Sequence, residues 1–236
     1  MFVPLHDENN LKAIPFQYIT VLLIALNVAA FLALELKQAA SFAIVPAELK
    51  QVGYVGGPAN GPFDLIAIPE HYTVLTYMFF HANIWHLLGN MLFLWVFGDN
   101  VEDAVGHLKF LLFYLLCGAA AALFHAHMTP SPEKPLIGAS GAVAGVIAAY
   151  LMLHPRVRVW VLVARFIPLR ITALWALGFW IAMQFAMVYL TQTGILKGPV
   201  AWWAHIGGLA AGAILIVIMR RPGVPLFDRG MSQASV

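Results

Sequence analysis

Four polar side chains sit in stretches of the chain that carry no charge: His86, Asn90, Ser140 and His205. A serine hydroxyl becomes a competent nucleophile when a neighbouring base takes its proton, and histidine serves that role most often. Ser140 stands in Gly138-Ala139-Ser140-Gly141, a turn leading into a helix, where free backbone N–H groups are available to a developing oxyanion. His86 and Asn90 are spaced i,i+4 and share one helix face, and both carry N–H donors. The chemistry these residues permit is acyl transfer to water: a Ser140–His205 dyad, with His86, Asn90 and the Ser140 N–H holding the oxyanion. No Asp or Glu falls in the outer parts of these stretches, so no carboxylate is expected to complete a triad. Taken one at a time, each residue has a plainer use. Serine in an apolar helix bonds its own backbone, and a lone histidine or asparagine joins helices.

The rest of the sequence says what must position them. Of 236 residues, 61% are hydrophobic and 10% charged, and the mean hydropathy is +0.82. Soluble domains run at roughly 45–50% apolar and about 25% charged. The composition therefore excludes a soluble globule and a disordered chain. A single cysteine, Cys117, excludes a disulfide scaffold. A net charge of +2 is too small for a nucleic-acid footprint. Residues 13–34, 71–98, 110–132, 135–155, 171–196 and 198–219 lack Asp, Glu, Lys and Arg, and a spanning helix needs about 20 mostly apolar residues. The expectation is an all-α membrane protein with six transmembrane helices. The first stretch reads as a retained helix, since no basic segment precedes it and no small-residue cleavage site follows. With the N-terminus inside, nine of the 13 Lys and Arg residues fall on the inner side, which makes both termini cytoplasmic.

This orientation sends the second, fourth and sixth spans from outside to inside. Asn83 is a natural N-cap for the second, putting His86 and Asn90 about 4.5 and 10.5 Å along it at 1.5 Å per residue. Starts near Ile137-Gly138 and Val200-Ala201 put Ser140 and His205 each about one turn deep. The four polar groups then sit at similar depth in the outer part of the membrane. Gly141 and Gly145 form a GxxxG beside Ser140, and Gly208 and Gly212 form another on the face of His205. If these small-residue faces meet, the helices approach closely and Ser140 comes within reach of His205. On this reading Gly208→Val disables the protein, while Gly208→Ala is milder.

Three motifs carry a family likeness: His81-Ala-Asn-Ile-Trp-His86-Leu-Leu-Gly-Asn90-Met91, Gly138-Ala-Ser140-Gly141-Ala142 and Ala204-His205-Ile-Gly-Gly208-Leu-Ala-Ala-Gly212. In this order, over residues 10–221, the sequence resembles the rhomboid intramembrane serine proteases. The segment from Gly98 through Glu102 to Gly106 is similar to that family's helix-end segment. The resemblance implies that Ser140 is the nucleophile and His205 the base, with His86, Asn90 and the Ser140 N–H as oxyanion hole. It further implies a six-transmembrane-helix rhomboid-like bundle with a water-filled cavity, acting on single-span transmembrane protein substrates in the lipid bilayer, with no metal or organic cofactor. Two departures stand out. Tyr72-Thr73 replaces a Trp-Arg pair common in the family's first outer loop. Ala144 stands where some members place a tyrosine against the base, so His205 must be oriented by something else.

The domain expected is a bundle over 13–221, with a 12-residue N-terminal segment, an outer loop over 37–70 and a mobile tail over 222–236. Val157–Ile167, alternating Arg with Val, Leu and Trp, suits the inner interface. Asn27 and Gln184 read as interhelical hydrogen bonders, Trp202 and Trp203 as an interfacial belt, and Glu102 as structural. His125 and His127 lack helical metal-ligand spacing. The expected location is the plasma (inner) membrane of a prokaryote, as a multi-pass protein that binds no nucleic acid.

Overall fold

A computed structural model describes residues 2–51, 65–66, 68–163, 167–196, 198 and 200–228. The Gly- and Pro-rich centre of the expected outer loop, from Gly53 to Pro62, lies outside the described residues, as do Arg165, Lys197, Pro199 and Arg229. The helices are α1 (Tyr18–Ala33), α2 (Leu36–Ala39), α3 (Pro46–Gln51), α4 (Glu70–Thr76), α5 (Ile84–Val105), α6 (His107–Met128), α7 (Ser140–Leu153), α8 (Ala173–Gln192) and α9 (Trp202–Met219). By length and composition α6, α8 and α9 are long and apolar enough to cross a membrane, and α1 and α7 are shorter apolar helices.

The second charge-free stretch, 71–98, is not one helix. It contains α4, a 3₁₀ turn over Tyr77–Phe79 and an extended break at Phe80, before α5 begins behind Asn83. α5 then continues past Asp99, Glu102 and Asp103 to Val105. Absence of charge thus ends this element too early, because Glu102 and Asp103 are met by backbone donors, while its start is set by the Asn83 cap rather than by the edge of the charge-free stretch. Glu102, fully buried, accepts from the N–H groups of Ile19 and Thr20 at 3.0 and 2.8 Å and from Thr20 Oγ1 at 2.7 Å. These amides open α1 and have no partner within it, so the carboxylate caps that helix at the positive end of its dipole. Asp103 accepts from the amides of Lys12, Ala13 and Ile14, in the bend that precedes α1, at 2.7–3.0 Å.

The all-α expectation also needs amendment. Strands β1 (Phe2–Asp7), β2 (Arg158–Val163) and β3 (Ile167–Thr172) form an antiparallel sheet in the order β1-β2-β3. Arg158 and Trp160 face outward while Val159 and Val161 are buried, the period-2 alternation of a half-buried strand. Glu8 forms an ion pair with Arg170 across this sheet. Asp7 is buried where the sheet meets the helices and accepts from Tyr150 Oη at 2.6 Å and Asn100 Nδ2 at 3.2 Å. Burial pushes its carboxyl up to about 7. The tail is bound as far as it is described. The Phe227 and Asp228 amides donate to Met152 and Leu153 carbonyls, and Asp228 accepts from the Arg156 amide at 2.9 Å.

α7 forms the centre of the bundle. Every residue from Gly141 to Tyr150 is buried, against α9, α6 and α5. Its 14 residues cover about 21 Å at 1.5 Å per residue, short of a hydrocarbon core of about 30 Å. A helix enclosed by others need not meet that length.

Candidate active site

Ser140 is the first residue of α7, not one turn inside it. The turn leading to it is held from three sides. Gly138 N–H donates to the Tyr77 carbonyl at 3.0 Å, and Ala139 N–H donates to His81 Nε2 at 3.4 Å. The His86 ring lies against Gly138 so closely that a Cβ there would stand 2.5 Å from Cε1. Gly138 also has φ +118°, a conformation open to glycine alone among common residues. As a first-turn residue, Ser140 has an N–H without an intrahelical partner.

α5 supplies His86 and Asn90. The Asn83 side chain accepts from the His86 N–H at 2.9 Å and fixes the start of the helix. His86 is half-buried, and His81 meets its ring edge-on with centroids 5.0 Å apart. Asn90 is buried one turn further along, where its Nδ2 donates to the His86 carbonyl at 3.1 Å. That contact uses one of the two amide hydrogens.

α9 supplies His205. The two GxxxG faces interlock: a Cβ on Gly208 would lie 1.9 Å from the Gly141 carbonyl oxygen, and one on Gly212 would lie 2.2 Å from that of Gly145. Gly141 and Gly145 in turn admit Ala121 and Cys117 of α6, each 2.5 Å from a notional Cβ. With the backbones this close, Ser140 Oγ stands 2.9 Å from His205 Nε2.

Three neighbours of His205 were not placed beside it by the sequence reading. Its Nδ1 lies 2.8 Å from Gln184 Oε1 of α8. Trp180 lies alongside the ring at 6.0 Å and Trp202 meets it edge-on at 5.7 Å, so Trp202 is a wall of the site as well as an interfacial residue. A glutamine in an otherwise apolar span was a visible signal, but its partner, on another helix, was not.

A Rhomboid domain family model matches residues 69–222, well over half of the chain. The chain belongs to the rhomboid family. Over 171 residues, 72% of its length, this rhomboid chain is 30% identical to the Rhomboid protease GluP of Bacillus subtilis (strain 168), covering 30% of that protein. It is 30% identical over 161 residues to RHOMBOID-like protein 1 of Arabidopsis thaliana, covering 68% of this chain and 38% of that one. Over 93 residues, 39% of this chain, it is 30% identical to the Inactive rhomboid protein 1 of Drosophila melanogaster, covering 6% of it. The chain thus spans well under half the length of these curated relatives. A rhomboid domain with three long apolar helices among the described residues makes this an integral membrane protein. Relatives in a plant and an insect do not support the expected prokaryotic membrane.

Proposed function

We propose that this rhomboid chain is an intramembrane serine endopeptidase that hydrolyses peptide bonds of single-span transmembrane proteins in the lipid bilayer. The observation that carries the reading is the 2.9 Å approach of Ser140 Oγ to His205 Nε2 across two helices locked by glycines. In this reading Ser140 Oγ attacks the scissile carbonyl carbon as His205 Nε2 takes its proton. The oxyanion is held by the Ser140 N–H, the His86 ring and the free hydrogen of the Asn90 amide. His205 returns the proton to the leaving amine, leaving an ester on Ser140. Water, deprotonated by the same nitrogen, attacks that ester, and His205 passes the proton to the departing Ser140 Oγ as the second product is released. The bundle crosses the membrane six times, with both termini on the Lys- and Arg-rich cytoplasmic side. The scheme calls on side chains and backbone alone.

Fluorophosphonate labelling of purified protein, located by peptide mass spectrometry and paired with cleavage of a reconstituted single-span substrate, tests this. Modification of Ser140 and loss of cleavage in Ser140→Ala are expected. Similarity to a relative named inactive gives the contrary result a meaning: an unlabelled Ser140 in folded protein points to a non-catalytic binder of membrane helices.

A further inference from the structure

His205 is engaged at both ring nitrogens, and the two contacts are not independent. Nε2 lies 2.9 Å from Ser140 Oγ, and Nδ1 lies 2.8 Å from Gln184 Oε1. A neutral imidazole has one N–H and one lone pair. The Gln184 amide decides which nitrogen holds which. Its Nε2 donates to the Trp180 carbonyl, one turn back on α8, at 2.9 Å. Turning the amide over would set Oε1 against that carbonyl, acceptor facing acceptor. Oε1 therefore faces the ring, and an acceptor requires a donor opposite it. Nδ1 carries the proton, and the Nε2 lone pair points at the Ser140 hydroxyl.

We infer that Gln184 is a positioning residue for the base, fixing His205 in the Nδ1–H tautomer so that Ser140 Oγ–H donates to Nε2. This rests on the protease reading above. It answers the question raised by Ala144, which leaves α7 with no ring to orient the histidine. A neutral amide suits a buried site, where an ionised carboxylate would have to be desolvated. When Nε2 accepts the serine proton, the Gln184 carbonyl dipole stabilises the positive charge spread to Nδ1–H. Trp180 and Trp202 restrict rotation of the ring. The placement of Gln184 is selective. Of the 20 residues of α8, Ala173, Ala176, Leu177, Gln184 and Val188 are buried, and Gln184 is the one with a polar side chain.

The test compares wild type, Gln184→Met and Gln184→Glu in reconstituted protein. Readouts are the rate of fluorophosphonate labelling at Ser140, kcat and KM for a single-span substrate, and the ¹⁵N shifts of His205, assigned by their absence from His205→Ala. Wild type is expected to show a protonated Nδ1 and an unprotonated Nε2. Gln184→Met should lower labelling and kcat by about 10–100-fold with KM changed less than about threefold, since a misplaced base slows chemistry more than binding. Gln184→Glu, as the neutral acid, keeps an acceptor at Nδ1 and a donor for the Trp180 carbonyl, and should recover labelling to within about tenfold of wild type. A structural role alone predicts loss in both variants. An Nε2–H tautomer in wild type overturns the inference, as does a wild-type labelling rate in Gln184→Met. Should Gln184→Met not fold, the wild-type tautomer and the Gln184→Glu rate decide, and a glutamate variant no faster than His205→Ala overturns it. Failure of the protease reading looks different: wild type itself is then unlabelled at Ser140.

Discussion

Gly208 of α9 rests against the carbonyl of Gly141 of α7, with no room for a methyl group: a Cβ would lie 1.9 Å from that oxygen. The obstacle is main chain, which cannot swing aside as a side chain can. Gly208→Ala should therefore be nearly as damaging as Gly208→Val, contrary to the milder effect expected from small-residue patterning. Overpacking of this kind costs about 1–3 kcal/mol or more, and the helix shift should move His205 off Ser140. Melting temperature in detergent and substrate turnover should both fall for the alanine variant. Wild-type values for both would show that α7 and α9 do not meet at these glycines.

Ser140→Ala and His205→Ala should each abolish cleavage in protein that still folds. Groups acting as one unit are not additive, so the double variant should be no slower than either single one. Rates measured with a reconstituted substrate check this, and multiplicative losses would mean the two side chains act apart.

His86→Ala should lower kcat by about 10²–10³-fold, the usual weight of one oxyanion donor. Asn90→Ala should cost less, because part of its amide already serves the His86 carbonyl. A larger loss in Asn90→Ala than in His86→Ala, with both proteins folded, would contradict this order.

The N-terminal strand should loosen as pH rises. Asp7 moves from an ordinary value of 3.8 to about 7 on burial. Between those values the folded chain holds a proton that the unfolded chain has released, so raising the pH lowers stability. The penalty is absent below the lower value, grows through the window and levels off above the upper one. Asp7→Asn keeps an acceptor for Tyr150 Oη and removes the ionisation. Hydrogen exchange of residues 2–7 should quicken from pH 5 to pH 8 in wild type, beyond the intrinsic rise, and much less in Asp7→Asn. An equal rise in both would assign the effect elsewhere.

Glu102→Ala should cost about 3–5 kcal/mol, the scale for breaking a buried charged network from one side. It strands the Ile19 and Thr20 donors together. The thermal midpoint of the variant is the measurement, and a value near wild type would show that water replaces the carboxylate.

The two GxxxG segments made the meeting of Ser140 and His205 legible in the sequence, since small residues four apart mark where backbones touch. Capping chemistry likewise placed Asn83 at the head of α5. Charge was a poorer guide. It ended the second span at 98 because the sequence does not show that Asp103 and Glu102 face amides some ninety residues earlier. Gln184 was seen as a polar intruder, but its partner lies 21 residues away on a neighbouring helix. The Arg158–Val163 alternation was visible as a pattern, yet nothing local says that β1 pairs with it.

That pairing has a consequence for how the chain is made. β1 is the first described element to leave the ribosome, and its partner begins at Arg158. At roughly 5–20 residues per second, the wait for β2 is on the order of ten seconds. Throughout it, β1 must stay unpaired on the face where β2 will emerge, while α1, α5, α6 and α7 are laid down in turn. Zipping the two strands together can then serve as a late check. In the six-span reading proposed above, it succeeds only if an even number of crossings separates them, and a span that failed to insert would leave an open sheet edge available to quality-control proteases.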